Sequence, residues 1–302
     1  MKAIHLNKRI VYVTGLPRAG STLMCQLLGH HPLIYSPQHS SPLEIMLMKM
    51  RHDMSDNKFF LAQLDTDFEL MYQRVINGYR GFINGWFAET ELPVVVDKNR
   101  GWVSEIETLR LLDPNFKLIV CVRDVRQIFG SVESQHRKTL LIDFAGHMAA
   151  KSPAMRADAL LDEKTGIVGA PLKSIERLQD LDDSFHEHIC YVVFEELMAD
   201  PVGTMNGLFG WFGLPPHDID PNNLQTRPTE SDSHYNYKFL HKIHKQIRPP
   251  HPHNIPPRID KEIVNKFKWF YEMFYPDQLP AAAETAQAAS TMPANGAAAP
   301  SN

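Results

Sequence analysis

Four short runs along the chain are almost continuously apolar and rich in β-branched residues. They are RIVYVT at 9–14, PVVVD at 93–97, KLIVCV at 117–122 and HICYVVF at 188–194. None alternates strictly between apolar and polar residues, which is the pattern of strands buried on both faces of a parallel sheet. Helical patterns separate them. Residues 21–28 are apolar at 23, 24, 27 and 28, and residues 68–87 place Phe68, Tyr72, Val75, Tyr79, Phe82 and Trp86 near helical spacing. Residues 103–112, 125–135 and 171–181 are amphipathic. Pro201 opens a helix over 202–212 and Gly213 stops it. Strands alternating with helices predict an α/β fold, doubly wound, with a mostly parallel sheet. No internal repeat is visible. From about residue 280 the composition changes to Ala, Thr, Ser, Pro and Asn. The pattern therefore predicts a single domain over 1–280 and a disordered Ala-rich tail over 281–302.

A chain of 302 residues is long enough to bury a sizeable core. Its formal net charge of -4 argues against general nucleic-acid binding, so any basic site must be local. The three cysteines, Cys25, Cys121 and Cys190, are too few for a disulfide framework and lie in apolar runs, as reduced core residues do. The N-terminal stretch has no long apolar segment with a cleavage site, and no apolar run reaches membrane-spanning length. The expectation is a cytoplasmic protein without a membrane anchor.

The candidate chemistry begins at Gly15-Leu16-Pro17-Arg18-Ala19-Gly20-Ser21-Thr22, between a predicted strand and a predicted helix. That context suits a phosphate-binding loop: glycines let the backbone wrap an anion, and helix-start amides point at it. The spacing matches GxxxxGK[ST], except that Ser21 stands where lysine is usual. Arg18 supplies a cation from within the loop instead. The alternative is a strand–helix turn that holds no ligand.

A second cluster follows the strand at 117–122. Arg123 lies at that strand's carboxyl end, where open α/β sheets place ligands. Ser131 comes eight residues later on a helix, and two helical turns let its hydroxyl face back toward Arg123. An arginine and a serine converging on one anion suit a phosphate dianion. Equally, Arg123 could pair with a nearby carboxylate and Ser131 could be a small helix residue.

Together the two clusters resemble those of the sulfotransferases that use 3′-phosphoadenosine 5′-phosphosulfate (PAPS). The family's 5′-phosphosulfate loop is matched by Gly15, Pro17, Arg18, Gly20, Ser21, Thr22 and Leu23. Its 3′-phosphate motif is matched by Arg123 and Ser131. The segment Val95-Val96-Asp97-Lys98-Asn99 looks like the strand whose lysine meets the sulfuryl group. The stretch from Val193 to Pro201 resembles a further family segment. The motifs occur in family order over residues 9–213. The arginine in the loop is closer to Golgi-type, tyrosylprotein and many bacterial members than to the cytosolic steroid and phenol enzymes. Two departures stand out: Ala19 where serine is common, and Phe194 where tyrosine is common.

The resemblance implies a P-loop-like nucleotide-binding core with PAPS as co-substrate and no required metal. Pro17, Arg18, Ala19, Gly20, Ser21 and Thr22 would hold the 5′-phosphosulfate, and Arg123 and Ser131 the 3′-phosphate. Lys98 would act on the bridging oxygen. Tyrosylprotein enzymes carry a catalytic glutamate after the loop helix, and Gln38 and His39 occupy that region here. His39 is the first candidate for the general base, since a histidine titrates near neutrality. His136 and Glu44 are the alternatives.

The acceptor is not readable: carbohydrate, peptide tyrosine, lipid and small alcohol all fit. Its pocket is expected in variable loops at 35–65 and 138–170. The aromatic stripe at 68–86 reads as core, and the segment at 228–258, with Lys238, Lys242, Lys245 and Arg248, as a surface or a basic lid. His241, His244, His251 and His253 lack the acidic or thiol partners of a metal site. Two rivals remain. A P-loop small-molecule kinase would use ATP and magnesium, with PVVVD as its acidic strand. A non-catalytic nucleotide-binding protein would use the same fold.

Overall fold

A computed structural model describes residues 2–138, 152–225 and 243–279. Residues 1–255 form one compact unit and 256–302 a second. The first is built on five parallel strands: β1 (Arg9–Gly15), β2 (Ile34–Tyr35), β3 (Val94–Lys98), β4 (Lys117–Val122) and β5 (Ile189–Val193), in the order β2-β3-β1-β4-β5. Val13 lies opposite Lys98 in one neighbour of β1, and Gly15 opposite Cys121 in the other. The order reverses at β1, so the crevice between the carboxyl ends of β1 and β4 is a topological switch point.

Four of the five strands, β1, β3, β4 and β5, are where the apolar runs predict them, and β2 lies where none is predicted. Val11, Tyr12, Val13, Val95, Leu118, Ile119, Val120 and Val122 are fully buried. Burying one such side chain contributes about 1.5–3 kcal/mol before the entropy of ordering is counted. Neighbouring β3 residues show that both faces are covered. Lys98 points to the face of α1 (Ser21–Leu28), where it meets Thr22. Asp97 points to the other face, where it accepts from the indole of Trp102 at 2.7 Å. This is the doubly wound arrangement expected from the pattern.

Three more helices follow β2: α2 (Leu43–Ser55), α3 (Lys58–Thr66) and α4 (Phe68–Trp86). Two details differ from the sequence expectation. Residues 43–66 are helical rather than loop, and α3 has no buried residue. The aromatic stripe of α4 is core only toward its end. Tyr79 and Ile83 are buried, whereas Phe68 and Tyr72 are stacked on each other and exposed. β3 leads through a short 3-10 turn (Arg100–Ser104) into α5 (Ile106–Leu112), and β4 leads into α6 (Val125–Arg137). α7 (Pro153–Leu160), α8 (Gly169–Arg177) and α9 (Asp183–His186) precede β5, and α10 (Phe194–Ala199) and α11 (Pro201–Trp211) follow it.

Buried Arg156 of α7 holds buried Glu133 of α6 through two hydrogen bonds, one of them at 2.8 Å. That pair ties α7 to the helix carrying Ser131. The second unit contains α12 (Pro257–Lys266) and α13 (Lys268–Phe274), with Phe270 packed on Phe274 and Tyr275. Residues 281–302, the expected tail, lie outside the described residues. Among the described residues no helix is long and apolar enough to cross a membrane.

Candidate active site

The loop between β1 and α1 is shaped by close backbone contacts. Gly15 has a φ of 125°, and a Cβ there would lie 2.1 Å from the Cys121 carbonyl oxygen of β4. Only glycine lets β1 leave the sheet so near its neighbour. The Leu16 amide then donates to that same carbonyl at 2.9 Å. Gly20 caps α1 at a φ of 85° with no side-chain capping bond. The first amides of α1 have no carbonyl one turn earlier to bond, and no acidic residue occupies the first turn. Such a helix start favours an anion. Arg18 itself has a φ of 62°. A left-handed non-glycine residue costs stability and persists where surrounding structure enforces it.

The sequence-predicted residues converge on this loop. Arg18 Nε donates to Ser131 Oγ at 3.3 Å, and Arg123 Nη1 donates to the Arg18 carbonyl at 3.1 Å. The loop and the second cluster thus form one continuous polar surface across the β1–β4 crevice. Lys98 Nζ donates to Thr22 Oγ1 at 3.1 Å. Lys98, Arg123 and Ser131 are all buried, and a cation in such surroundings acts through a lower effective dielectric than water provides. Glu195 approaches Arg123 Nε only to 3.9 Å and is itself partly exposed.

Phe194 has a place that the sequence did not reveal. Its ring lies under the Arg123 guanidinium at 4.6 Å. A Cβ on Gly20 would come within 2.6 Å of the same ring. One aromatic side chain therefore supports both the loop and the second arginine, by packing and by cation–π attraction. Its position directly after a strand, in a motif where tyrosine is common, was the available signal.

The three candidate bases occupy different surroundings. His39 is exposed, and its Nδ1 lies 3.3 Å from the Ser40 carbonyl. The segment carrying it is fixed to the end of β3: the Ser41 amide donates to the Lys98 carbonyl at 2.8 Å, and Asn99 Nδ2 donates to the Ser41 carbonyl at 2.7 Å. Gln38 beside it has a φ of 61°. Glu44 is buried against Gly101. Burial, with Glu105 and Asp97 nearby, holds its carboxyl above the usual range. His136 is buried beside Arg156 and Glu133. Burial and the Arg156 charge lower its pKa. On α6 it stands about 140° around the helix axis from Ser131, at ~100° per residue, so it does not share the Ser131 face.

Asp97 is fully buried. Burial pushes its pKa up to about 6, with Ser41, Trp102 and the nearby His39 opposing the rise. Its Oδ2 accepts no hydrogen bond among the described residues.

The sulfotransferase family model matches residues 11–218, which spans the sheet from the third residue of β1 onward and the loop, strand ends and helices of this site. The chain belongs to the sulfotransferase family. No curated protein sequence matches it. Among solved structures it is similar to the sulfotransferase domain of the Synechococcus PCC 7002 olefin synthase, at 19% identity over 73% of this chain and 81% of that one, with a TM-score of 0.43. It is also similar to the sulfotransferase domain of the curacin biosynthetic pathway, at 16% identity over 88% and 99%, with a TM-score of 0.47. A sulfotransferase from Alicyclobacillus acidocaldarius matches at 14% identity over 86% and 91%, with a TM-score of 0.48.

Membership places residues 15–22, 98, 123 and 131 inside the matched region. Of the basic segment at 228–258, Lys238, His241 and Lys242 lie outside the described residues. Lys245 and Arg248 are described. The Lys245 carbonyl accepts from Leu224 at 2.7 Å.

Proposed function

We propose that this protein transfers a sulfuryl group from PAPS to an acceptor hydroxyl or amine. The observation that carries the reading is the convergence of Arg18, Arg123, Ser131 and Lys98 at the carboxyl ends of β1, β3 and β4. Two phosphate-bearing ends of one nucleotide need two cationic clusters a short distance apart, and the site offers them as one surface.

In this reading Pro17 to Thr22 hold the 5′-phosphosulfate with backbone amides and the Arg18 guanidinium. Arg123 and Ser131 hold the 3′-phosphate. Lys98 faces the sulfuryl end beside Thr22. As the acceptor oxygen bonds to sulfur, the bond from sulfur to the bridging oxygen breaks and charge moves onto the departing phosphate. Cations already in place for that charge lower the barrier. The acceptor proton passes to His39, which lies on the segment bonded to the Lys98 strand end.

The kinase alternative fits less well. In a magnesium-dependent P-loop enzyme, the hydroxyl at position 22 and the acidic residue of the neighbouring strand serve one metal ion. Here Thr22 is bonded to the Lys98 ammonium, while the Asp97 carboxylate faces Trp102 on the other side of the sheet.

Among the described residues Cys25, Cys121 and Cys190 form no disulfide, which supports action in the cytoplasm. We take residues 1–280 as the part that carries the activity. The test is incubation with sulfur-labelled PAPS and acceptors from four classes: carbohydrates, tyrosine peptides, lipids and small alcohols. Label transfer that persists in a metal chelator is expected. Transfer from ATP in magnesium, with none from PAPS, would overturn the reading. The desulfated product, adenosine 3′,5′-bisphosphate, should also raise the melting temperature by linkage.

A further inference from the structure

We propose that His253 is a third cationic ligand of the anion site formed by Arg18, Arg123 and Ser131, and that it couples nucleotide binding to uptake of a proton. The proposal rests on the donor reading above.

The segment from residue 243 to 255 is fixed at both ends to the two helices that flank the crevice. At its start, Gln26 of α1 donates to the His244 carbonyl at 3.2 Å and to the Gln225 carbonyl at 3.3 Å. At its end, Gln127 of α6 grips the backbone of His253 on both sides. Its Oε1 accepts from the His253 amide at 3.0 Å, and its Nε2 donates to the His253 carbonyl at 3.4 Å.

The contact continues one turn along α6. A Cβ on Gly130 would lie 2.2 Å from the Cβ of His253 and 2.9 Å from its Cγ. Only a helical glycine permits so close an approach. Gln127, Gly130 and Ser131 are spaced i, i+3 and i+4, so they share one face of the helix. His253 therefore sits on the face that presents the Ser131 hydroxyl to Arg18. Its place was not visible in the sequence, where a proline-flanked histidine carries no periodic signal.

Among the described residues, Gln127 and Gly130 of α6 are packed against His253, and Arg123 from the end of β4, His251 from its own segment and Arg18 from the loop act on its imidazole by charge. Among the described residues no carboxylate acts on it. Burial, with Arg123, His251 and Arg18, lowers its pKa, so the imidazole is neutral in the ligand-free protein near pH 7. A phosphate dianion placed among these groups reverses the sign of the local field. It then favours imidazolium, which donates a charge-assisted hydrogen bond. A group whose pKa is higher in the complex takes up a proton on binding, and affinity rises as pH falls from its pKa in the complex toward its free-state pKa.

The probe is adenosine 3′,5′-bisphosphate, measured by titration calorimetry in two buffers of different ionisation enthalpy. The wild type should take up more protons per ligand bound at pH 7.5 than His253→Gln does. The ionisation of the phosphate itself is common to both and cancels. His253→Gln should bind about 10–150-fold more weakly at pH 6.5, as expected for loss of one charge-assisted hydrogen bond, with the gap closing at pH 8.5. His253→Arg should restore affinity without the extra proton uptake. Equal proton uptake and equal pH dependence in wild type and His253→Gln would overturn the proposal and leave the donor reading standing. A wild type that fails to bind the bisphosphate removes both.

Discussion

The Lys98 ammonium donates to the Thr22 hydroxyl at 3.1 Å, joining the end of β3 to the first turn of α1. That bond holds a buried cation beside the loop amides, on the side of the crevice away from Arg123. In the proposed reading a charge placed there would act on whatever leaves the loop, not on the 3′-phosphate. Lys98→Ala should lower turnover about 10²–10³-fold, the usual effect of deleting one preorganised donor. Affinity for adenosine 3′,5′-bisphosphate should stay within a few fold, because that ligand has no sulfuryl group. Steady-state rates and calorimetry on the same preparation decide it. Full activity in the variant would make Lys98 a bystander.

Arg123 and Phe194 form the opposite wall. Arg123→Ala should weaken the 3′,5′-bisphosphate far more than adenosine 5′-monophosphate, which lacks the dianion that Arg123 would hold. Equal losses for both nucleotides would remove that assignment. Phe194→Leu keeps an apolar side chain against Gly20 but ends the cation–π contact, worth about 0.5–2 kcal/mol. It should weaken the bisphosphate by roughly 2–30-fold with little change in the melting temperature.

Much of this arrangement was legible in the sequence. The loop was readable because a buried strand, spaced glycines and a helix start coincide, and α1 begins and ends where its apolar spacing predicts. Lys98 and Arg123 were readable as polar residues closing apolar runs. Their mutual contacts were not. Arg18 reaches Ser131 across 113 residues of chain, and no local pattern encodes such a pairing. α2 and α3 were missed because Ile45, Phe59 and Leu61 are exposed, which erases the amphipathic period. β2, two residues long, is too short for any periodicity. Phe194 read only as a departure from the usual tyrosine because its aromatic face acquires meaning only once Arg123 and Gly20 are beside it.

Asp97 offers a test of stability. Its carboxyl has a pKa of about 6 in the folded protein, against 3.8 ordinarily, chiefly because it is buried. Between those values the folded state keeps a proton that the unfolded chain has lost. Stability therefore falls as pH rises through this window, and the cost is complete above about pH 6, at roughly 3 kcal/mol. Asp97→Asn keeps an acceptor for Trp102 without the charge. Its urea midpoint should exceed that of the wild type at pH 8, and the two should meet near pH 4. Parallel stability curves would refute the account. The carboxylate lies within electrostatic reach of His39, so the more stable variant should also be the slower enzyme.

That coupling bears on the base. His39 lies on a segment that two hydrogen bonds fix to the end of β3, next to Lys98. The tautomer that donates from Nδ1 to the Ser40 carbonyl leaves Nε2 as the acceptor. In the proposed reading, an exposed acceptor on that segment is where an incoming hydroxyl would shed its proton. His39→Ala should lose about 10²–10⁴-fold in turnover while binding the bisphosphate normally. The pH–rate profiles of wild type and His39→Ala should differ in shape, as removal of a general base requires. Glu44→Gln and His136→Asn are the decisive comparisons. Glu44 lies against Gly101 on the side of Asp97, and His136 is packed beside Arg156 and Glu133, away from the Ser131 face. Both should retain turnover within about tenfold, short of the loss expected for a base. If either abolishes transfer while His39→Ala stays near wild type, the proton goes elsewhere, and the segment after α1 serves only to shape the acceptor side.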